Sequence, residues 1–127
     1  MKELKFYRCA LCGNLFVVLN DSGQNPICCG QEMNLLAPNT SDGAGEKHVP
    51  VLVRNGKNLT VKVGEVPHPM LEEHYIQWVI VLQGDKFQTA ALKPGEAPEA
   101  TFTLDSDSEP VTAYEYCNLH GLWSAKG

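Results

Sequence analysis

The sequence predicts an all-β chain in two parts, a small metal-stapled N-terminal unit and an immunoglobulin-like antiparallel β-sandwich. Three observations carry this expectation. From about residue 49 the apolar residues alternate with polar ones, the period of half-buried strands, and no stretch holds a 3.6-residue period over three turns. The dipeptides Asn55-Gly56 and Gly84-Asp85 fall between such runs and are hairpin-turn signals. Four of the five cysteines lie before residue 30, in a segment too short to bury a core of its own.

Taken in order, Leu4–Arg8 reads as a short strand, Cys9–Gly13 as a knuckle and Leu15–Leu19 as a second strand. Asp21-Ser-Gly-Gln-Asn-Pro26 has the composition of a turn. These close a first domain at residues 1–36, with the second at 37–127. Residues 38–47, polar and with two glycines, read as a linker running into a mobile loop. Strands are then expected at Val49–Arg54, Leu59–Val63, His74–Leu82, Lys86–Leu92, Ala100–Leu104 and Val111–Tyr116, with Leu122–Trp123 a short last one. Ile76, Trp78, Ile80 and Leu82 would form the inner face of the third of these. Six or seven short strands in about 90 residues suit a sandwich.

Composition narrows the function classes. Of the 127 residues, 43% are apolar and 20% charged, the balance of a globular domain. Fifteen acidic against ten basic residues give a net charge of −5, which argues against a general binder of nucleic-acid phosphates. No apolar run reaches the ~18 residues of a membrane span. Met1-Lys-Glu-Leu-Lys5 is not followed by the apolar core of a signal peptide, so the expected location is the cytoplasm. Disulfides are not expected in that compartment, and an odd cysteine count leaves one sulfur over in any case.

Cysteines and histidines segregate along the chain. Cys9, Cys12, Cys28 and Cys29 come first; His48, His68, His74, Cys117 and His120 follow. That partition suggests two metal sites of different chemistry. Cys9-x-x-Cys12 is a knuckle spacing that brings two sulfurs onto one ion. Cys28 and Cys29 are adjacent and share an ion only across a sharp bend, which Pro26 and Gly30 suit. A tetrahedral set of four sulfurs holds zinc or iron, and the spacing leaves both open. With iron, the site exchanges one electron without a change of ligands and has no position for a substrate.

In the second set, His68 sits between Pro67 and Pro69, His74 opens a strand, and Cys117-x-x-His120 repeats the knuckle spacing. Four imidazoles and one thiolate are one ligand too many for tetrahedral zinc. A six-coordinate iron would keep one position vacant. Ferrous iron with one thiolate carries +1, which attracts a small anion, and the thiolate pushes electron density onto the metal. That combination suits one-electron reduction of a small oxygen species. Lys47 would add positive potential, and Glu46 would bind water or the vacant position in the ferric state.

These residues resemble one family over essentially the whole chain. Cys9-x2-Cys12-x15-Cys28-Cys29, Glu46-Lys47-His48-Val49-Pro50, Pro67-His68-Pro69-Met70, His74-Tyr75-Ile76 and Cys117-Asn118-Leu119-His120-Gly121-Leu122-Trp123 look like desulfoferrodoxin, the two-iron superoxide reductase. The resemblance implies a rubredoxin- or desulforedoxin-like domain holding a non-haem iron on the four thiolates of Cys9, Cys12, Cys28 and Cys29. It implies a second non-haem iron with His48, His68, His74 and His120 equatorial and Cys117 axial. Superoxide would be reduced to hydrogen peroxide opposite Cys117, with Lys47 steering the anion and organising a proton-donating water, and Glu46 ligating the ferric resting state. It further implies a cytoplasmic homodimer supplied with electrons by rubredoxin or a similar donor.

Two other readings stay open on the residues alone: a non-catalytic electron carrier, and a zinc-stapled binding module. Several motifs carry no chemistry. Trp78 and Trp123 read as core, Trp123 beside the site, and Tyr75, Tyr114 and Tyr116 as packing residues. Asp105-Ser-Asp107-Ser-Glu109 lacks the glycine and distal glutamate of a calcium loop. Gly43-Ala-Gly45 has no strand before it and no helix after it, so it is no dinucleotide fingerprint.

Overall fold

The computed structural model describes residues 3–127, and the chain divides into two compact units, one ending at Ala37 and the other running Pro38–Gly127. In the first unit, β1 (Phe6–Arg8), β2 (Leu15–Val17) and β5 (Asn34–Leu35) form an antiparallel sheet in the order β2-β1-β5. A two-residue pair, β3 (Ile27–Cys28) with β4 (Gln31–Glu32), lies between β2 and β5 in sequence. Strands β3, β4 and β5 are too short to carry a period, so the sequence does not announce them. The buried residues Tyr7, Cys9 and Met33, with Val18 and Cys28 packed on them, form one small cluster, and Phe6 is buried as well. Such a core needs a cross-link to hold.

The second unit is a sandwich. One sheet has the order β10-β7-β6, from β6 (Pro50–Asn55), β7 (Asn58–Val63) and β10 (Glu99–Thr103). The other has the order β12-β11-β8-β9, from β8 (Ile76–Gln83), β9 (Lys86–Ala91), β11 (Thr112–Cys117) and β12 (Gly121–Lys126). Every pairing is antiparallel. Both hairpin dipeptides do their expected work: Asn55 pairs with Asn58 and Gln83 with Lys86, and Gly56 and Gly84 take the positive φ their turns require. Leu59, Val61, Val63 and Phe102 from one sheet meet Ile76, Val79, Val81, Val111, Ala113 and Cys117 from the other. The all-β sandwich expected from alternation is therefore the fold found.

Three local expectations change. The inner face of β8 is Ile76, Val79 and Val81 rather than Ile76, Trp78, Ile80 and Leu82. The β11–β8 register slips between Tyr116 and Cys117, so Tyr116 faces Trp78 while Cys117 faces Ile76. That bulge reverses the alternation part-way along the strand. Trp78 instead stacks on Tyr116, with centroids 5.8 Å apart. The last strand, expected at Leu122–Trp123, runs the full length of β11, because a buried strand must pair its backbone on both sides. Within the expected mobile loop, Gly45–His48 forms one helical turn, α1, fastened by the buried His48. No helix among the described residues is long and apolar enough to cross a membrane.

Two candidate metal centres

In the first unit, the knuckle after β1 is closed by Cys9 N–H donating to the Asn14 carbonyl at 2.8 Å and Gly13 N–H to the Cys9 carbonyl at 2.9 Å. The Cys12 N–H points at Cys9 Sγ, 3.5 Å away. On the other side, Cys29 and Gly30 take successive positive φ values of 54° and 76°. This is the sharp bend that lets adjacent cysteines face one centre, and Gly30 makes it tolerable. All four sulfurs lie within 4.8 Å of one another. Cys12 Sγ is 3.6 Å from Cys28 Sγ, which is 3.9 Å from Cys29 Sγ. Thiolates ~2.3 Å from one tetrahedral ion sit about 3.8 Å apart, so the sulfurs fit a single ion.

Their acidities differ in a way that suits an ion. The Cys12 backbone N–H, foremost among several donors, brings the Cys9 thiol down to about 6. Cys29 is pushed up to about 12, first by the Cys12 sulfur and then by those of Cys9 and Cys28. Four sulfurs this close cannot all ionise without a cation among them.

In the second unit, five side chains converge from separate elements. His48 ends α1; His68 and His74 come from the segment between β7 and β8; Cys117 ends β11; His120 lies in the turn into β12. Their donor atoms also lie within 4.8 Å of one another. The imidazoles form a closed cycle. His48 neighbours His68 (centroids 4.6 Å), His68 neighbours His74 (4.7 Å), His74 neighbours His120 (5.1 Å), and His120 returns to His48 (4.8 Å), each pair edge-on.

Two of the rings have their tautomer set by the backbone. His48 Nδ1–H donates to the Ala44 carbonyl at 2.8 Å, and His68 Nδ1–H to the Pro69 carbonyl at 2.7 Å. A carbonyl only accepts, so each Nε2 keeps its lone pair turned inward. Those two Nε2 atoms face each other at 3.1 Å. Nitrogens held at right angles ~2.1 Å from one ion sit about 3.0 Å apart. His74 Nε2 is buried with no partner. Burial lowers the pKa of His48 and of His74, and takes His68 down to about 4, so these rings are neutral near pH 7. Neutral imidazole is the metal-binding form.

Cys117 is fully buried, 3.4 Å from His68 Nε2 and 3.8 Å from His120 Nδ1. Burial raises its pKa, against the backbone N–H groups of His120 and Leu119, which lower it. An adjacent cation would tip that balance to the thiolate. Facing lone pairs, an orphaned buried nitrogen and a buried thiol make a donor set that fits one ion.

All nine sequence-nominated Cys and His ligands thus fall into two groups. Glu46 and Lys47 are both exposed on α1, directly before the buried His48. Glu46 lines a cleft with Val49, Val51 and Glu65, and its carboxylate is not among the five clustered donors. The turn is held by Val66 N–H donating to the Glu46 carbonyl at 2.8 Å. It is also crowded by Gly64, where a Cβ would lie 2.8 Å from that oxygen and 2.9 Å from the Lys47 carbonyl carbon.

Sequence reasoning passed over Gly64 and two other residues. Glu115 sits two residues before Cys117, in phase with the core residues Val111 and Ala113, with neither carboxylate oxygen partnered. Burial pushes its pKa up to about 9. A glutamate in phase with core positions of a strand was the available signal. Asn118 bonds to both residues flanking His74. Trp123, expected beside the site, stacks on His48 with centroids 4.9 Å apart.

Comparison with known proteins agrees with this arrangement. Residues 40–126 match the desulfoferrodoxin family and residues 1–36 match its N-terminal domain. A desulfoferrodoxin from Syntrophotalea carbinolica is 48% identical over 126 residues, spanning 99% of this chain and 98% of that protein. The desulfoferrodoxin of Desulfarculus baarsii is 49% identical over 125 residues, 98% of each chain. Among solved structures, the superoxide reductase from Treponema pallidum aligns with a TM-score of 0.79 at 39% identity, covering 98% of this chain and 99% of that one. With both units matched and the relatives covered nearly end to end, the chain belongs to the desulfoferrodoxin family.

Proposed function

We propose that this chain is a superoxide reductase, with the catalytic site in the sandwich of residues 37–127 and an electron-transfer iron–tetrathiolate centre in residues 1–36. The observation that carries the reading is the closed cycle of four imidazoles with the buried Cys117 sulfur beside it. The desulfoferrodoxin family binds two irons, and the donor sets fit: Cys9, Cys12, Cys28 and Cys29 for one, His48, His68, His74, His120 and Cys117 for the other. Iron held by these five donors would supply a one-electron couple and a place for a small anion to bind. The reaction is O₂•⁻ + e⁻ + 2H⁺ → H₂O₂.

The protein's own groups supply the rest. The Ala44 and Pro69 carbonyls hold the His48 and His68 tautomers, and Cys117 contributes the anionic donor. Lys47, on the turn ending at His48, adds the positive potential that draws the anion in and orders a proton-donating water. In line with that role, its charge is the last of the influences, behind burial, that lower the pKa of His48 and His74. Glu46 is assigned the closing of the site in the oxidised resting state. Rubredoxin or a comparable small iron–thiolate carrier is the electron donor in this reading, and the working form is a cytoplasmic homodimer.

The decisive experiment replaces Cys117 with Ser and His120 with Ala, one at a time. Each variant should lose superoxide reduction while the visible spectrum of the four-cysteine centre is unchanged. Activity surviving both changes would overturn the assignment. A colourless protein containing zinc at both sites would do so too.

A further inference from the structure

His74 is held differently from its neighbours. His48 and His68 are each fixed by a hydrogen bond from their own ring to a carbonyl. The buried Nε2 of His74 has no partner, and no bond from its ring to a carbonyl occurs among the described residues. It is also less buried than His48 and His68. Something other than the ring must fix where this imidazole points.

The backbone on both sides of His74 is held by one side chain. Asn118 Nδ2–H donates to the Glu73 carbonyl at 3.0 Å, and Tyr75 N–H donates to Asn118 Oδ1 at 3.0 Å. The Asn118 backbone N–H donates to the Tyr75 carbonyl at 3.3 Å. Three bonds from one residue therefore bracket His74. They lie where regular pairing fails: the β11–β8 register slips at Tyr116/Cys117, and β8 begins only at Ile76. Beyond that slip, the carboxamide stands in for the missing ladder bonds. Asn118 follows Cys117 directly, so it ties the end of β11 and the turn carrying His120 to the segment carrying His74.

We infer that Asn118 is the positioning residue for His74, setting the distance and direction of that imidazole relative to Cys117. The inference rests on the two-iron reading above and adds a residue to it. Asparagine is suited to the task because it offers a donor and an acceptor on one planar group. Aspartate keeps the shape and the acceptor for Tyr75 N–H but turns a second acceptor toward the Glu73 carbonyl. Alanine keeps only the backbone bond.

The test uses the iron-loaded protein with Asn118→Ala, Asn118→Asp and His74→Ala beside wild type. Two readouts are taken: the rate at which a chelator removes iron from the histidine site, and the electron paramagnetic resonance spectrum of the oxidised protein. The four-cysteine centre, in the same molecule, is the internal control. Loss of a residue that orients a metal ligand costs on the order of 10- to 100-fold in metal affinity. Asn118→Ala should release that iron at least about tenfold faster and shift only the histidine-site signal, in the same direction as His74→Ala but less. Asn118→Asp should fall between Asn118→Ala and wild type, which a general loss of stability would not arrange. Wild-type retention and spectrum in Asn118→Ala, with His74→Ala perturbed, would overturn the inference alone. A His74→Ala protein indistinguishable from wild type would overturn the metal-centre reading, and the role of Asn118 with it.

Discussion

Trp123 lies over His48 with ring centroids 4.9 Å apart and planes 25° from parallel, and its indole N–H donates to the His120 carbonyl at 3.0 Å. One core residue thus touches two members of the histidine cluster that are 72 positions apart in sequence (120 − 48). It joins the packing of the sandwich to the geometry of the cluster.

Replacing Trp123 separates those two contacts. Trp123→Phe keeps an aromatic face on His48 and loses the bond to the His120 carbonyl, at a cost of about 1 kcal/mol. Trp123→Ala loses both and opens a cavity, at a cost of about 3–5 kcal/mol. Urea denaturation of the two variants checks the order. Equal losses would mean that the ring itself supports nothing.

Gly64 is where two backbones meet. A methyl group there would strike the Glu46 carbonyl oxygen and the Lys47 carbonyl carbon, neither of which is a flexible side-chain end. Gly64→Ala is expected to push the α1 turn outward, to destabilise by about 1–3 kcal/mol, and to slow superoxide reduction without touching any ligand. Thermal melts and stopped-flow rates measure the two effects. An unchanged rate would show that the seat of α1 does not matter for turnover.

In the proposed function Lys47 acts through charge, so its effect should depend on salt. Lys47→Ala should lower the second-order rate with superoxide and flatten its dependence on ionic strength, while leaving the melting temperature close to wild type. Rates collected across a range of sodium chloride concentrations decide this. A slope equal to wild type would remove Lys47 from anion capture.

Glu115 gives the chain a pH dependence of defined sign. Its carboxyl titrates near 9 when buried against an ordinary value of 4.5. Below 4.5 both folded and unfolded chains hold the proton and nothing is lost. As pH rises from there toward 9, the unfolded chain releases its proton while the folded one keeps it, so this group's contribution to stability falls throughout that window. Glu115→Gln removes the titration and should raise stability near neutral pH by on the order of 3 kcal/mol. Urea midpoints from about pH 5 to about pH 8 should decline in the wild type and stay flatter in the variant. Parallel profiles would mean that Glu115 is ionised in the folded chain.

Much of this molecule was legible in the order of its residues. Alternation and two glycine-containing turns announced the sandwich, because strand period and hairpin chemistry are local properties. The nine side chains of the two candidate metal centres were legible because thiolates and imidazoles are few in type and their knuckle spacings, Cys9-x-x-Cys12 and Cys117-x-x-His120, are short-range geometry. Only the tertiary structure decided the rest. It closed the four imidazoles into a cycle, reversed the inner face of β8 at a bulge, and turned a polar loop into the helical turn that carries Glu46 and Lys47. It also gave Gly64, Asn118 and Trp123 their supporting places. Those outcomes depend on contacts between residues tens of positions apart, where packing and unsatisfied backbone groups outweigh local preference.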